Sequence, residues 1–203
     1  MLRGYILLLC MLLLPSIAWS KQILVLGDSL SAAYGMPAEK GWVSLLQQRI
    51  DDQQPAIQVT NASISGETTS GGINRLPDLL QRYQPDLVLI ELGANDGLRG
   101  TPLPMIRQNL VKLVQLVHEA GAEPMLVGVR LPPNYGPRYS NGFFELFESV
   151  AQQYQIPRVP FLMEQVALDW NLMQSDGLHP NEAAQPKLLE TVWPHLQPLL
   201  TAD

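Results

Sequence analysis

Beyond residue 20 the sequence has no cysteine; its single cysteine is Cys10. A mature chain starting near Lys21 therefore has no thiolate nucleophile, no cysteine metal ligand and no redox pair. Charge is sparse as well. Asp, Glu, Lys and Arg make up 16% of the 203 residues, and the net charge is −6. Clusters of Lys and Arg are missing, which excludes a nucleic-acid partner, because neutralising phosphates requires them. Low charge combined with 46% hydrophobic residues excludes a disordered chain. There is no internal repeat, linker or low-complexity segment. Only three histidines are present, His118, His179 and His195, so each carries weight.

The N-terminus differs from the rest. Arg3 precedes an aliphatic run over residues 6–14, Pro15 breaks it, and Ala18-Trp19-Ser20 sets small residues before Lys21. This is the layout of a secretory signal peptide, with cleavage expected between Ser20 and Lys21. An uncleaved anchor is the rival reading, but the run falls short of the roughly 20 apolar residues a bilayer asks for. Leu9 before Cys10 is a poor context for lipidation. The expected location is therefore the periplasm or the exterior, with no stable membrane anchor after cleavage. Residues 21–203 read as one domain, large enough to be stabilised by its core without disulfides.

Within that domain, short apolar runs at 23–26, 57–61, 87–92, 125–129 and 157–160 read as strands. Helical spacing of apolar residues marks 42–50, 73–83, 106–120 and 143–154. Gly121 reads as a C-cap. A last helix is expected over 181–199, interrupted near Pro186 and Pro194. Nearly all-apolar strands alternating with helices predict an α/β fold, its parallel sheet covered on both faces. Ligands in such sheets bind beyond the carboxyl ends of the strands. The segments found there are rich in small and polar residues. They are Gly27-Asp28-Ser29-Leu30-Ser31, Ala62-Ser63-Ile64-Ser65-Gly66-Glu67, Gly93-Ala94-Asn95-Asp96-Gly97 and residues 130–137, joined near the C-terminus by Asp176-Gly177-Leu178-His179-Pro180.

These segments offer one candidate for each part of acyl transfer. A serine hydroxyl needs a base, the base needs an acid to hold its tautomer, and the tetrahedral intermediate needs N–H donors. Ser29 follows a buried strand and precedes an expected short helix. Taken alone it serves equally well as an N-cap or a nucleophile. Position 31 is serine, so this is not a Gly-x-Ser-x-Gly elbow. His179 follows Asp176 by three residues, with Gly177 permitting a tight turn and Pro180 expected at the start of a helix. In isolation that pair also suits a metal or a capped turn, but no further ligands stand at useful spacing, so no metal is expected. His118 reads as a surface or packing residue, and His195 as a complement to a helix dipole. Asn95 is either a turn residue or a side-chain amide donor. Gly66 is either a turn glycine or an unobstructed backbone donor. Asn61-Ala62-Ser63 fits a glycosylation sequon, but its place at a strand end favours a structural use.

Together, in order and spacing, these blocks resemble the SGNH (GDSL) hydrolases over essentially the whole mature chain. The stretches Asn61-Ala62-Ser63-Ile64-Ser65-Gly66, Arg130-Leu131-Pro132 with Asn134-Tyr135-Gly136, and Ala184-Gln185-Pro186 are similar to the bacterial periplasmic thioesterase, lysophospholipase and arylesterase branch. The resemblance implies a three-layer α/β/α fold with a five-stranded parallel sheet in flavodoxin-like order 2-1-3-4-5. It implies Ser29 as nucleophile, His179 as base and Asp176 as its partner. The Ser29 and Gly66 N–H groups and the Asn95 amide would form the oxyanion hole. Ala94 stands where a second glycine is common, and Glu67 where aspartate is common. No cofactor is implied.

The expected substrates are acyl esters, thioesters or lysophospholipids, handled by a monomer. Leu76, Leu131, Pro132 and Tyr135 are the candidate acyl contacts, with Ile73 and Leu79 flanking. A carbohydrate acetylesterase of the same superfamily is the nearest alternative and would need a polar cleft. A non-catalytic binding module is a more distant one.

Overall fold

Five strands pair in parallel in the order β2-β1-β3-β4-β5. They are β1 (Gln22–Gly27), β2 (Gln58–Asn61), β3 (Leu87–Glu91), β4 (Glu123–Val127) and β5 (Arg158–Val159). This computed structural model describes residues 21–54 and 56–201. The leader inferred for residues 1–20, with Cys10, lies outside the described residues. The order is the flavodoxin-like one expected, and helices cover both faces of the sheet. On one side pack α2 (Thr69–Tyr83), α4 (Leu103–Glu119) and α5 (Pro137–Tyr154); on the other, α1 (Trp42–Gln53) and α6 (Gln185–Leu200). A short α3 (Ala94–Leu98) follows β3. The strands are apolar because both of their faces are buried: Leu24, Val25, Leu26, Val88, Leu89 and Ile90 are each 0% exposed.

Several boundaries differ from the sequence reading for local physical reasons. Helix α2 begins four residues early. Thr68 caps it, its hydroxyl accepting the Gly71 N–H at 3.1 Å. Gly71 and Gly72 precede the helix expected from residue 73 but lie within α2, where it passes close to the sheet. A Cβ on Gly72 would lie 2.4 Å from the Leu92 side chain. Helix α5 starts at Pro137, whose missing N–H costs no intrahelical bond at that position. The same reason removes the expected break at Pro186, which sits in the first turn of α6 after a 3₁₀ turn over 182–184; Pro194 lies inside α6 and does not end it. Pro180 therefore does not start a helix; it bridges to Met173. Ser29 stands on a hydrogen-bonded turn and not before a helix, with the Ala32 N–H donating to the Asp28 carbonyl at 2.9 Å. Gly121, at φ +80°, does cap α4, and the next N–H, of Ala122, returns to the Val117 carbonyl at 3.1 Å.

Candidate active site

The carboxyl ends of β1, β2 and β3 converge, because β1 lies between the other two. Their outgoing turns deliver Ser29, Gly66 and Asn95 to one edge. Each turn is tied to its neighbour. The Ile64 N–H donates to the Gly27 carbonyl at 3.0 Å, and the Asn61 amide donates to the Ser31 carbonyl at 2.8 Å. Asn61 is thus used structurally, binding the second turn to the first. Thr69 N–H and hydroxyl donate to the two oxygens of the buried Asp96 at 2.8 and 2.6 Å, fixing α2 against α3.

The histidine arrives from the far end of the chain. Asp176 begins a tight turn in which Gly177 adopts φ +65°. Asp176 Oδ1 accepts the Leu178 and His179 N–H groups at 2.9 and 3.0 Å. Its Oδ2 lies 2.7 Å from His179 Nδ1, and His179 Nε2 lies 2.9 Å from Ser29 Oγ. With the ring proton on Nδ1, the imidazole donates to Asp176, and Nε2 is left to accept the serine hydroxyl. Slight burial pushes the Asp176 carboxyl up, but the His179 N–H, the His179 ring and the Leu178 N–H outweigh it and hold the carboxyl down at about 2. The imidazole is further packed by Tyr34, ring centroids 4.4 Å apart. The Gln174 amide braces both sides of this contact, donating to the Tyr34 and Pro180 carbonyls at 2.7 and 3.1 Å.

The backbone N–H groups of Ser29 and Gly66 meet no acceptor among the described residues. Gly66 holds φ +81° in open space, where an added Cβ would touch nothing within 4 Å. Backbone conformation, not crowding, is what selects glycine here. The Asn95 amide nitrogen is already engaged, with Asp28 Oδ2 at 3.1 Å and the Glu67 carbonyl at 2.9 Å. Glu67 itself is held by Arg75 at 2.7 Å. His118 and His195 both lie exposed on helices away from this edge.

A cavity of about 370 Å³ opens over Ser29, Gly66, Asn95 and His179. Its walls are largely apolar, with Leu30, Leu98, Val129, Leu131, Phe161 and Met163 among them, and Pro132 at the edge. Leu131 and Pro132, two of the expected acyl contacts, line this cavity. Two other expected contacts do not. Leu76 is 0% exposed in the core beneath α2, because the helix turns that face inward. Tyr135 lines a separate groove, and its hydroxyl donates to the Leu98 carbonyl at 2.9 Å, so it braces a cleft residue from behind. Ile73 and Leu79 pack on the core, outside this cavity. Phe161 and Met163 escaped sequence reasoning, since the irregular segment after β5 has no periodic pattern to read. No group of three or more His, Cys, Asp or Glu able to hold a metal ion occurs among the described residues.

Comparison with known proteins identifies the family. Residues 25–185 match the GDSL-like Lipase/Acylhydrolase family. The chain belongs to that family. It is 50% identical to the esterase TesA of Pseudomonas aeruginosa, over 95% of this chain and 96% of that one. It is 46% identical to the thioesterase 1/protease 1/lysophospholipase L1 of Escherichia coli, over 89% of this chain and 86% of the relative. Among solved structures, the psychrotrophic esterase EstA of Pseudoalteromonas sp., inhibited by monoethylphosphonate, superposes with a TM-score of 0.85 at 46% identity. That match covers 90% of this chain and all of the other. The chain is an acyl hydrolase of the ester/thioester class.

Proposed function

We propose that this hydrolase works by two-step acyl transfer, with Ser29 as nucleophile, His179 as general base and Asp176 as the group that orients the imidazole. The observation that carries this reading is the continuous contact from Asp176 Oδ2 through the His179 ring to Ser29 Oγ, at 2.7 and 2.9 Å. Ser29 attacks the acyl carbonyl while Nε2 takes its proton. The oxyanion is received by the Ser29 and Gly66 N–H groups and by the Asn95 amide, whose hydrogen now on the Glu67 carbonyl is the one it can share. His179 then protonates the leaving alkoxide or thiolate, and water repeats the sequence on the acyl-enzyme. Inhibition of a relative by a phosphonate supports the same route, since such an agent suits an activated hydroxyl.

The apolar walls of the cavity support acyl chains as the recognised part of the substrate, in esters, thioesters or lysophospholipids. A sugar acetylesterase would need polar walls there. The enzyme acts as a monomer in the periplasm or outside the cell, after removal of residues 1–20; among the described residues no helix is long and apolar enough to cross a membrane. The test is hydrolysis of p-nitrophenyl esters of graded chain length, beside Ser29→Ala. Activity extending to medium and long chains, and lost in Ser29→Ala, is the expected result. A profile confined to acetate favours the sugar-esterase reading, and an active Ser29→Ala variant refutes the mechanism.

A further inference from the structure

Two carboxyl groups, Asp28 and Glu91, are each 0% exposed directly behind the nucleophile, and the acyl-transfer cycle gives neither a task. They sit at the paired ends of β1 and β3, where Gly27 and Glu91 are register partners. Their packing is tight enough to require glycine at 27. A Cβ there would meet Glu91 Oε2 at 2.9 Å and the Ser63 hydroxyl oxygen at 2.7 Å. Asp28 Oδ1 accepts the Leu30 N–H at 3.0 Å, and its Oδ2 accepts the Asn95 amide at 3.1 Å. Glu91 Oε2 accepts the Ser31 hydroxyl at 2.8 Å and the Asp28 N–H at 3.3 Å, while Glu91 Oε1 is buried with no partner among the described residues.

We propose that Asp28 is a positioning residue for ester hydrolysis: its carboxylate, braced by a protonated Glu91, holds the Asn95 amide with its nitrogen toward the cleft. The inference rests on the reading of Asn95 as an oxyanion donor. The two ends of an asparagine amide are nearly alike in shape, so its orientation is decided by what faces it. An ionised carboxylate only accepts, so it selects the NH₂ end. One amide hydrogen is then fixed on Asp28 in the interior. The second is held by the Glu67 carbonyl and is the one left to share with an oxyanion. Without that anchor only the Glu67 carbonyl, which must release its hydrogen to the oxyanion, still selects the NH₂ end.

The division of charge between the two acids follows from their contacts. Asp28 has a donor on each oxygen, and the coulombic influence of His179 also favours its ionised form. Glu91 has donors on one oxygen only. Burial pushes both carboxyls up, Asp28 to about 6 and Glu91 well above its ordinary range, with the Asp28 charge adding to the rise of Glu91. Two adjacent buried carboxylates cannot both be ionised at low cost, so the proton resides on Glu91. That proton is shared with the Asp28 carboxylate, a side-chain hydrogen bond that favours the charged form of Asp28 and the neutral form of Glu91, while Oε2 accepts from Ser31.

A double-mutant cycle in the full chain tests this, read as kcat and KM on a p-nitrophenyl ester. Asp28→Asn should lower kcat by roughly ten- to a hundredfold with KM nearly unchanged, less than the loss of a whole oxyanion donor in Asn95→Ala. The double variant should be no slower than Asn95→Ala by more than about twofold, because both changes remove one function. Glu91→Gln, neutral like the protonated acid, should retain kcat within about threefold. If Asp28→Asn does not fold, Asp28→Ser provides the same cycle. Losses that multiply in the double variant, or a Glu91→Gln loss as large as that of Asp28→Asn, overturn the proposal. Ser29→Ala separates the two levels: if it stays active, the acyl-transfer reading itself fails. If Ser29→Ala is inactive and Asn95→Ala is slow while the cycle is multiplicative, only the role of Asp28 fails.

Discussion

His179 Nε2 lies 2.9 Å from Ser29 Oγ, although 150 residues separate them in the chain. The contact exists because β1 occupies an interior position in the sheet, and the turn leading toward α6 crosses over the carboxyl end of that strand. Neither residue is positioned by its neighbours in sequence alone. The Ser29 turn is tied to β2 through Asn61 and to β3 through Glu91, and the imidazole is held by Asp176 on one side and Tyr34 on the other.

On the proposed role of Asn95 as an oxyanion donor, Asn95→Ala should lower kcat by about 10²–10³ with little change in KM. Gly66→Ala adds no clash, so any loss comes from the left-handed backbone, at a cost of roughly 1–2 kcal/mol. Steady-state kinetics and thermal melts together check this pair. Both variants should melt lower than wild type, Asn95→Ala because it leaves the buried Asp28 Oδ2 without its donor and Gly66→Ala because of its backbone.

Asp176→Asn keeps the shape of the turn but reverses what the side chain offers Nδ1. A fall in kcat of about 10⁴ is expected, as for any triad whose imidazole is left in the wrong tautomer. Because the carboxyl is held down at about 2, Asp176 stays ionised through the neutral and mildly acidic range. Loss of activity on mild acidification is therefore not its titration, and the pH profile of kcat/KM should show no inflection assignable to it above about pH 4.

Stability should rise as the pH falls from neutral toward about 5. Asp28 and Glu91 bind protons more readily folded than unfolded. Their stabilising protonation is complete below the ordinary carboxylate value of 3.8 for Asp28 and is lost as the pH rises through about 6 for that residue. Depressed groups such as Asp176 contribute a constant amount above about pH 4, so they do not mask the slope. Melting temperatures measured between about pH 5 and 8 should show this slope in the wild type and a flatter one in Asp28→Asn.

Leu76→Ala and Leu131→Ala should separate core from cleft. The first empties a fully buried site and should cost about 2–5 kcal/mol in stability while leaving acyl-chain preference as it was. The second alters a cavity wall and should shift the preference among p-nitrophenyl esters. Urea melts and a chain-length series provide the two readouts.

The strands and the site blocks were legible in sequence because buried parallel strands are continuous apolar runs, and the turns that follow them need small and polar residues. Ser29, Gly66 and Asn95 stood out as candidates because they follow strands, and Asp176 with His179 as a closely spaced pair; the roles proposed for all five come from the family resemblance. What escaped depended on tertiary packing. Gly72 falls outside the helix that periodicity predicts until Leu92 is seen against it, and Leu76 falls on a plausible helical face whose direction the sequence does not give. Pro194 reads as a break, yet α6 continues through it. Glu91 was the one charge in an otherwise apolar strand. That signal was present, but its partner Asp28 is 63 residues away.

The central claim is that Ser29 is the activated nucleophile, and the most direct test is covalent labelling with an alkyl phosphonate, mapped by peptide mass spectrometry. A single adduct on Ser29, absent in Ser29→Ala and formed much more slowly in His179→Ala, is the expected result. An adduct on another residue, with ester hydrolysis intact in Ser29→Ala, would contradict the account.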